Sequence, residues 1–143
     1  MSELSIIGHD YALNADFARR FNEAVLILKR RYILGRLGND ETEATVQRAR
    51  QDLRVLLGAL VAALQDGGKP WTADQAQVPG DLLEKLRKRL KGTWDETIAE
   101  LRGVLEDLDK EIALQEPAFK GLDIICEAAD ETASAAFRRL RRI

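Results

Sequence analysis

The densest apolar run in the chain is Val55-Leu56-Leu57-Gly58-Ala59-Leu60-Val61-Ala62-Ala63-Leu64, bounded by Arg54 and by Gln65-Asp66. At ~100° per residue its main stripe is Leu53, Leu56, Leu57, Leu60 and Leu64, and the opposite side carries Val55, Ala59 and Ala62 in place of charges. A helix apolar all round is a buried one. The run is shorter than the ~20 residues a bilayer span needs, so protein must cover it. The rest of the chain has to be arranged around this stretch.

The same spacing divides the remaining sequence. Residues 1–13 read as an N-terminal arm with an apolar knot of Leu4, Ile6, Ile7, Tyr11 and Leu13, lying across the end of the fold or docking on a second subunit. Asn14 is of the type that caps a helix, here one running to about residues 35–38 with Phe17, Phe21, Ala24, Val25, Leu28 and Tyr32 inward. A second stripe, Leu26, Ile33 and Leu37, lies nearly opposite. The surface helix of a monomer rarely carries two stripes. Either this helix sits in the middle of the fold or its second stripe meets another chain.

Gly38-Asn39-Asp40 makes a short turn, and Asp40 is expected to cap a second helix to Asp66 with Val46, Ala49, Leu53, Leu56, Leu60 and Leu64 inward. So short a connection makes the two helices antiparallel neighbours. Two prolines and three glycines make 67–80 the one long irregular stretch, pinned to the second helix by Trp71 and Val78. It has the position of a ligand loop but no reactive group. Asp81-Leu-Leu-Glu84 resembles a capping box opening a short helix to Lys91, and Thr93-Trp-Asp-Glu96 resembles another after Gly92. A break is expected between them, a single helix over 81–115 being the alternative. Trp94, Ile98, Leu101, Leu105, Leu108 and Ile112 form the fourth helix's stripe. Pro117 opens the last helix, whose stripe is Phe119, Leu122, Cys126, Ala129, Ala133, Ala136 and Leu140. The pattern predicts an all-α protein, an antiparallel (up-down) bundle of four to five helices, with the arm at 1–13 and one domain over 14–143.

Composition agrees with a single domain: 143 residues, 45% hydrophobic and 32% charged, with only three prolines. Cys126 has no second cysteine to pair with, which suits a reducing compartment, and the N-terminus shows no basic segment followed by an apolar run. A cytoplasmic location follows as the expectation. His9 is the one histidine, which leaves no set of ligands for a histidine-based zinc or di-iron site. A nucleophile assisted by His9 would lie in the least anchored segment, and Cys126 on an inward stripe reads as a buried thiol rather than a redox centre. The carboxylates Glu106, Asp107, Asp109 and Glu111 read as a solvated face, with magnesium as the outside option. No phosphate-cradling glycine loop appears. Nothing calls for a catalytic residue, a metal or a cofactor.

Charge is unevenly placed. Basic clusters occur at Lys29, Arg30, Arg31 and Arg36, at Lys85, Arg87, Lys88, Arg89 and Lys91, and at Arg138, Arg139, Arg141 and Arg142. Residues 95–116 hold eight carboxylates against two cations. The first and third clusters end helices, where cations suit the dipole. They are expected to meet the acidic end of the fourth helix and Asp16, Asp66, Asp95 and Glu96 respectively. In the middle cluster, inward Leu83, Leu86 and Leu90 leave Lys85, Lys88 and Arg89 outward, as candidates to meet a partner or an anion.

Two functions are expected from these features. The first is a non-enzymatic protein–protein interaction module, an adaptor, inhibitor or small subunit of a larger assembly. It would self-associate through Leu26, Ile33, Leu37, Val55, Ala59 and Ala62. The second is a helical subunit touching a nucleic-acid backbone through 85–91, where Lys85, Lys88 and Arg89 point outward, and through the arginine-rich helix ends. Small subunits of ribonucleoprotein complexes, bacterial defence complexes among them, have this general build, but likeness of build alone does not give function.

Overall fold

In a computed structural model the chain is described over residues 3–34, 42–65 and 77–142, and these residues contain five helices and no strand. They are α1 (Glu3–Leu34), α2 (Glu43–Gln65), α3 (Gly80–Arg89), α4 (Trp94–Asp109) and α5 (Glu116–Arg141). One hydrophobic cluster draws side chains from all five. Within it Phe21, Leu53, Leu56, Leu57, Leu60, Leu82, Leu86, Leu101, Leu122 and Ile125 are the largest fully enclosed apolar groups.

The first helix begins eleven residues earlier than Asn14 predicts. Asn14 is buried inside α1, and its Nδ2 donates back to the Asp10 carbonyl oxygen at 2.8 Å. The same short amide that could accept from a following turn here serves the preceding one. Residues 3–13 are therefore the opening turns of a helix. The second helix is capped by Thr42, whose Oγ1 accepts from Thr45 N–H at 3.2 Å. Asp40, expected in that role, lies outside the described residues, as do Leu37, Asp66 and Trp71.

Helix α2 packs against α1, α3 and α4. Most of its apolar decamer is covered from within its own chain: Leu56, Leu57, Ala59, Leu60, Val61, Ala63 and Leu64 are buried, whereas Val55, expected to be covered as well, is exposed. Helix α1 packs mainly on α5 and α2, and α5 also receives α3 and α4.

The third and fourth helices are separate. Leu90–Thr93 forms a turn in which Thr93 N–H donates to the Leu90 carbonyl oxygen at 2.9 Å, and Gly92 takes φ +97°, a conformation open to glycine at little cost. Neither expected capping box forms. Pro79 occupies the position before α3, and the Thr93 hydroxyl donates to the Leu90 carbonyl oxygen. At the far end of α4, Glu111 takes φ +58°, with Ile112 N–H donating to the Asp107 carbonyl oxygen and Glu111 N–H to that of Leu108. This is a Schellman termination with glutamate where glycine is usual.

Candidate interaction surfaces

The basic helix predicted to face outward lies along α5, which carries the opposite charge. Lys85 Nζ sits 2.6 Å from Glu131, and Arg89 lies 3.4 Å from Glu131 and 3.6 Å from Glu127. Lys88 pairs with Glu84 one turn back on α3, at 3.3 Å. Hydrogen bonding from Lys85, then the positive charge of Lys85 and Arg89, holds the Glu131 carboxyl below its usual range despite some opposing desolvation. Lys85, Lys88 and Arg89, the cations expected to be open to a phosphate, are thus each matched to a carboxylate.

Lys29, Arg31 and Arg139 of the other two basic clusters are also paired, with partners that spacing does not indicate. Arg139 of α5 donates to Asp10 of α1 and, at 3.0 Å, to Asp81 of α3, tying three helices together. Those bonds, Asp10 first, raise its pKa further. Lys29 holds Asp123 of α5 at 2.7 Å, and Arg31 pairs with Glu43. The expected carboxylates of α4 and of Asp16 and Asp95 are not these partners: Asp16 pairs with Arg19 and Arg20 within α1. A register between helices decides such pairings, and residue spacing along one helix does not encode it.

The predicted self-association residues separate into two groups. Leu26 and Ile33, seven positions apart and so on one side of α1, are 47% and 68% exposed. Val55 is 45% exposed on α2. Ala59 is 1% exposed and Ala62 half-buried. Ala59 is therefore not part of an outward face, because its side of α2 is covered by helices of the same chain. Exposed Tyr32, Ile112 and Phe137 were not singled out as outward groups by spacing. Tyr32 lies on the inward stripe of α1, but its ring reaches the edge of the fold and packs on Phe119 at 5.4 Å. Ile112 falls beyond the end of α4, where helical periodicity no longer places side chains.

Cys126 is half-buried, and burial, reinforced by Asp123 and Asp130, pushes its thiol up to about 12. Such a group is a thiol at neutral pH, not a nucleophilic thiolate. His9 is exposed near the start of α1. Among the described residues no group of three His, Cys, Asp or Glu side chains converges to hold a metal, and no helix is long and apolar enough to cross a membrane.

A concavity at one end of the helices involves Arg50, a residue outside the basic clusters. Arg50 of α2 is 8% exposed, the one buried charged side chain among the described residues. Its guanidinium donates to the carbonyl oxygens of Asp107 (3.0 Å), Leu108 (3.3 Å) and Ile112 (3.2 Å) at the end of α4. A cation there suits the partial negative charge of a helix C-terminus. The signal was present: Arg50 stands at core spacing between Val46 and Leu53, a charge on an apolar stripe.

Comparison with protein families, with curated proteins and with solved structures finds no match to this chain.

Proposed function

We propose that this protein is a non-enzymatic, cytoplasmic interaction module that self-associates through the outward side of α1. The observation that carries this reading is the exposure of Leu26 and Ile33, two large apolar side chains two turns apart. On an isolated helix face they gain nothing from facing water, whereas a second apolar surface would remove about 1.5–3 kcal/mol of exposure cost per side chain if fully buried. The covered face of α2 narrows the proposed surface to α1, with Val55 as an outlying contribution.

The same proposal includes the order of the helices. It takes α1, α2, the broken pair α3–α4 and α5 as four rods running alternately up and down. Support comes from the pairings between ends. Tyr11 meets Phe137, Asn22 meets Asp130, Lys29 meets Asp123 and Tyr32 meets Phe119, so partner numbers fall as α1 is followed. Asp81 with Arg139 and Arg89 with Glu127 repeat the pattern between α3 and α5. In this arrangement α3 and α4 point the same way, and Gly92 marks a break in one rod.

Sedimentation velocity of the full chain over a wide concentration range tests the self-association. The expected outcome is a mass at high micromolar concentration at least twice that of the chain, falling to the monomer in a Leu26→Glu, Ile33→Glu double variant with unchanged helical circular dichroism. A wild-type chain that stays monomeric throughout sinks the proposal. The nucleic-acid reading is the weaker one, since Lys85, Lys88 and Arg89, and at the helix ends Lys29, Arg31 and Arg139, are each paired with a carboxylate.

A further inference from the structure

The concavity around Arg50 goes beyond self-association. It lies at one end of the helices, between the last turns of α1, the first turns of α2 and the α4–α5 turn, half open to solvent, with a volume of ≈ 510 Å³. That is within the ~300–1,000 Å³ usual for small-molecule sites. Leu28, Val46 and Leu114 give it an apolar floor, and Tyr32 stands at its edge.

Burying a guanidinium is costly unless its N–H groups find acceptors. Arg50 has five N–H donors by its chemistry, and three hydrogen bonds engage it, two to α4 carbonyls and one to that of Ile112 just beyond. Among the described residues no carboxylate forms an ion pair with it. Arg50 thus lines a cavity of mixed polar and apolar character, with two of its five N–H donors not used by those bonds. The charges of the lining limit what fits there. Arg31 and Arg50 are offset by Glu43 and Glu111, so the lining is neutral in sum. A single negative charge delivered to Arg50 is favoured, and a dianion would be opposed by the two glutamates. Glu111 also holds a backbone conformation unusual for a side-chain-bearing residue, at the lip of this same cavity.

We infer that the cavity between α1, α2 and the α4–α5 turn binds a small amphiphilic monocarboxylate, its carboxylate on Arg50 and its apolar body against Leu28, Val46 and Leu114. The alternative use of Arg50, solely to end α4, makes no distinction between a charged and a neutral amphiphile.

Titration of the ¹⁵N-labelled full chain with octanoate, octanamide and inorganic phosphate tests the assignment by amide chemical shifts. Octanoate is expected to give saturable shifts at Val46, Gln47, Arg50, Leu114 and Gln115, with octanamide at least tenfold weaker and phosphate without saturation at the same residues. Because Arg50→Gln removes the α4 termination and can unfold the chain, Gln47→Glu is the deciding variant. Gln47 is exposed at the cavity wall, and a carboxylate there should weaken octanoate about tenfold while leaving octanamide unchanged. Equal binding of octanoate and octanamide, saturable phosphate binding at these residues, absence of saturable octanoate shifts, or undiminished octanoate binding in Gln47→Glu would each overturn it.

Discussion

Glu111 and Asn14 show what a single residue can hide. Glutamate carries no sequence signal for the left-handed conformation, yet Glu111 adopts φ +58° because Ile112 must turn its N–H back to Asp107 and because Arg50 holds the surrounding carbonyls. An L-residue pays roughly 1–2 kcal/mol there. Glu111→Gly is expected to raise unfolding free energy by about 0.5–1 kcal/mol in urea titrations, the gain being trimmed by glycine's greater freedom when unfolded. Asn14 illustrates the reverse: a residue with a strong capping preference can sit mid-helix once its amide bonds to Asp10 and its neighbours bury it.

At the scale of the element, α3 is a ten-residue helix that would not persist alone. It is held by Leu82, Leu83 and Leu86 in the core and by its charges along α5. Glu131 is the acceptor shared by Lys85 and Arg89, and its carboxyl is held below the ordinary value. A lowered carboxyl pKa stabilises the folded state at pH above the ordinary value, and that contribution disappears as pH falls through the lowered one. Glu131→Gln is therefore expected to melt slightly below wild type at pH 7, with the two melting curves converging under acid conditions where the carboxyl is protonated in both states. Screening by solvent keeps the difference small, and added salt should shrink it further.

Helix α2 also separates burial from hydrophobicity. Leu57 and Val55 are two residues apart in one greasy run, yet Leu57 is fully enclosed and Val55 faces outward. Leu57→Ala is expected to cost about 2–5 kcal/mol in chemical denaturation. Val55→Ala should change stability by about 0.5 kcal/mol or less in the same experiment. Comparable losses at the two positions would show that the outward side of α2 is covered in solution, extending the proposed contact beyond α1.

For the whole molecule, the paired charges and the uncovered apolar residues divide the surface. The α3–α5 side is a ladder of opposite charges, whereas α1 presents Leu26 and Ile33. A self-associating chain would bury the latter and leave the former to water. The cavity at the end bearing Arg50 is separate in residues from both, so occupancy by a carboxylate and association through Leu26 and Ile33 are measurable independently.

Sequence by itself determined that the protein is helical, that most of the Val55–Leu64 stretch is buried, that α3 and α4 part near Gly92, and most of the inward residues of α1, α4 and α5, though not Val104 or Ile125. These are consequences of local geometry: 3.6-residue periodicity and the conformational freedom of glycine act within a few residues of chain. Tertiary structure alone decided that Ala59 is covered, that Lys85 and Arg89 meet Glu131, that Arg139 joins α1 to α3, and that Arg50 reaches the end of α4. Each of those depends on the register between helices far apart in the chain. Interdigitating side chains from several elements set that register together, and no one helix contains the information to fix it.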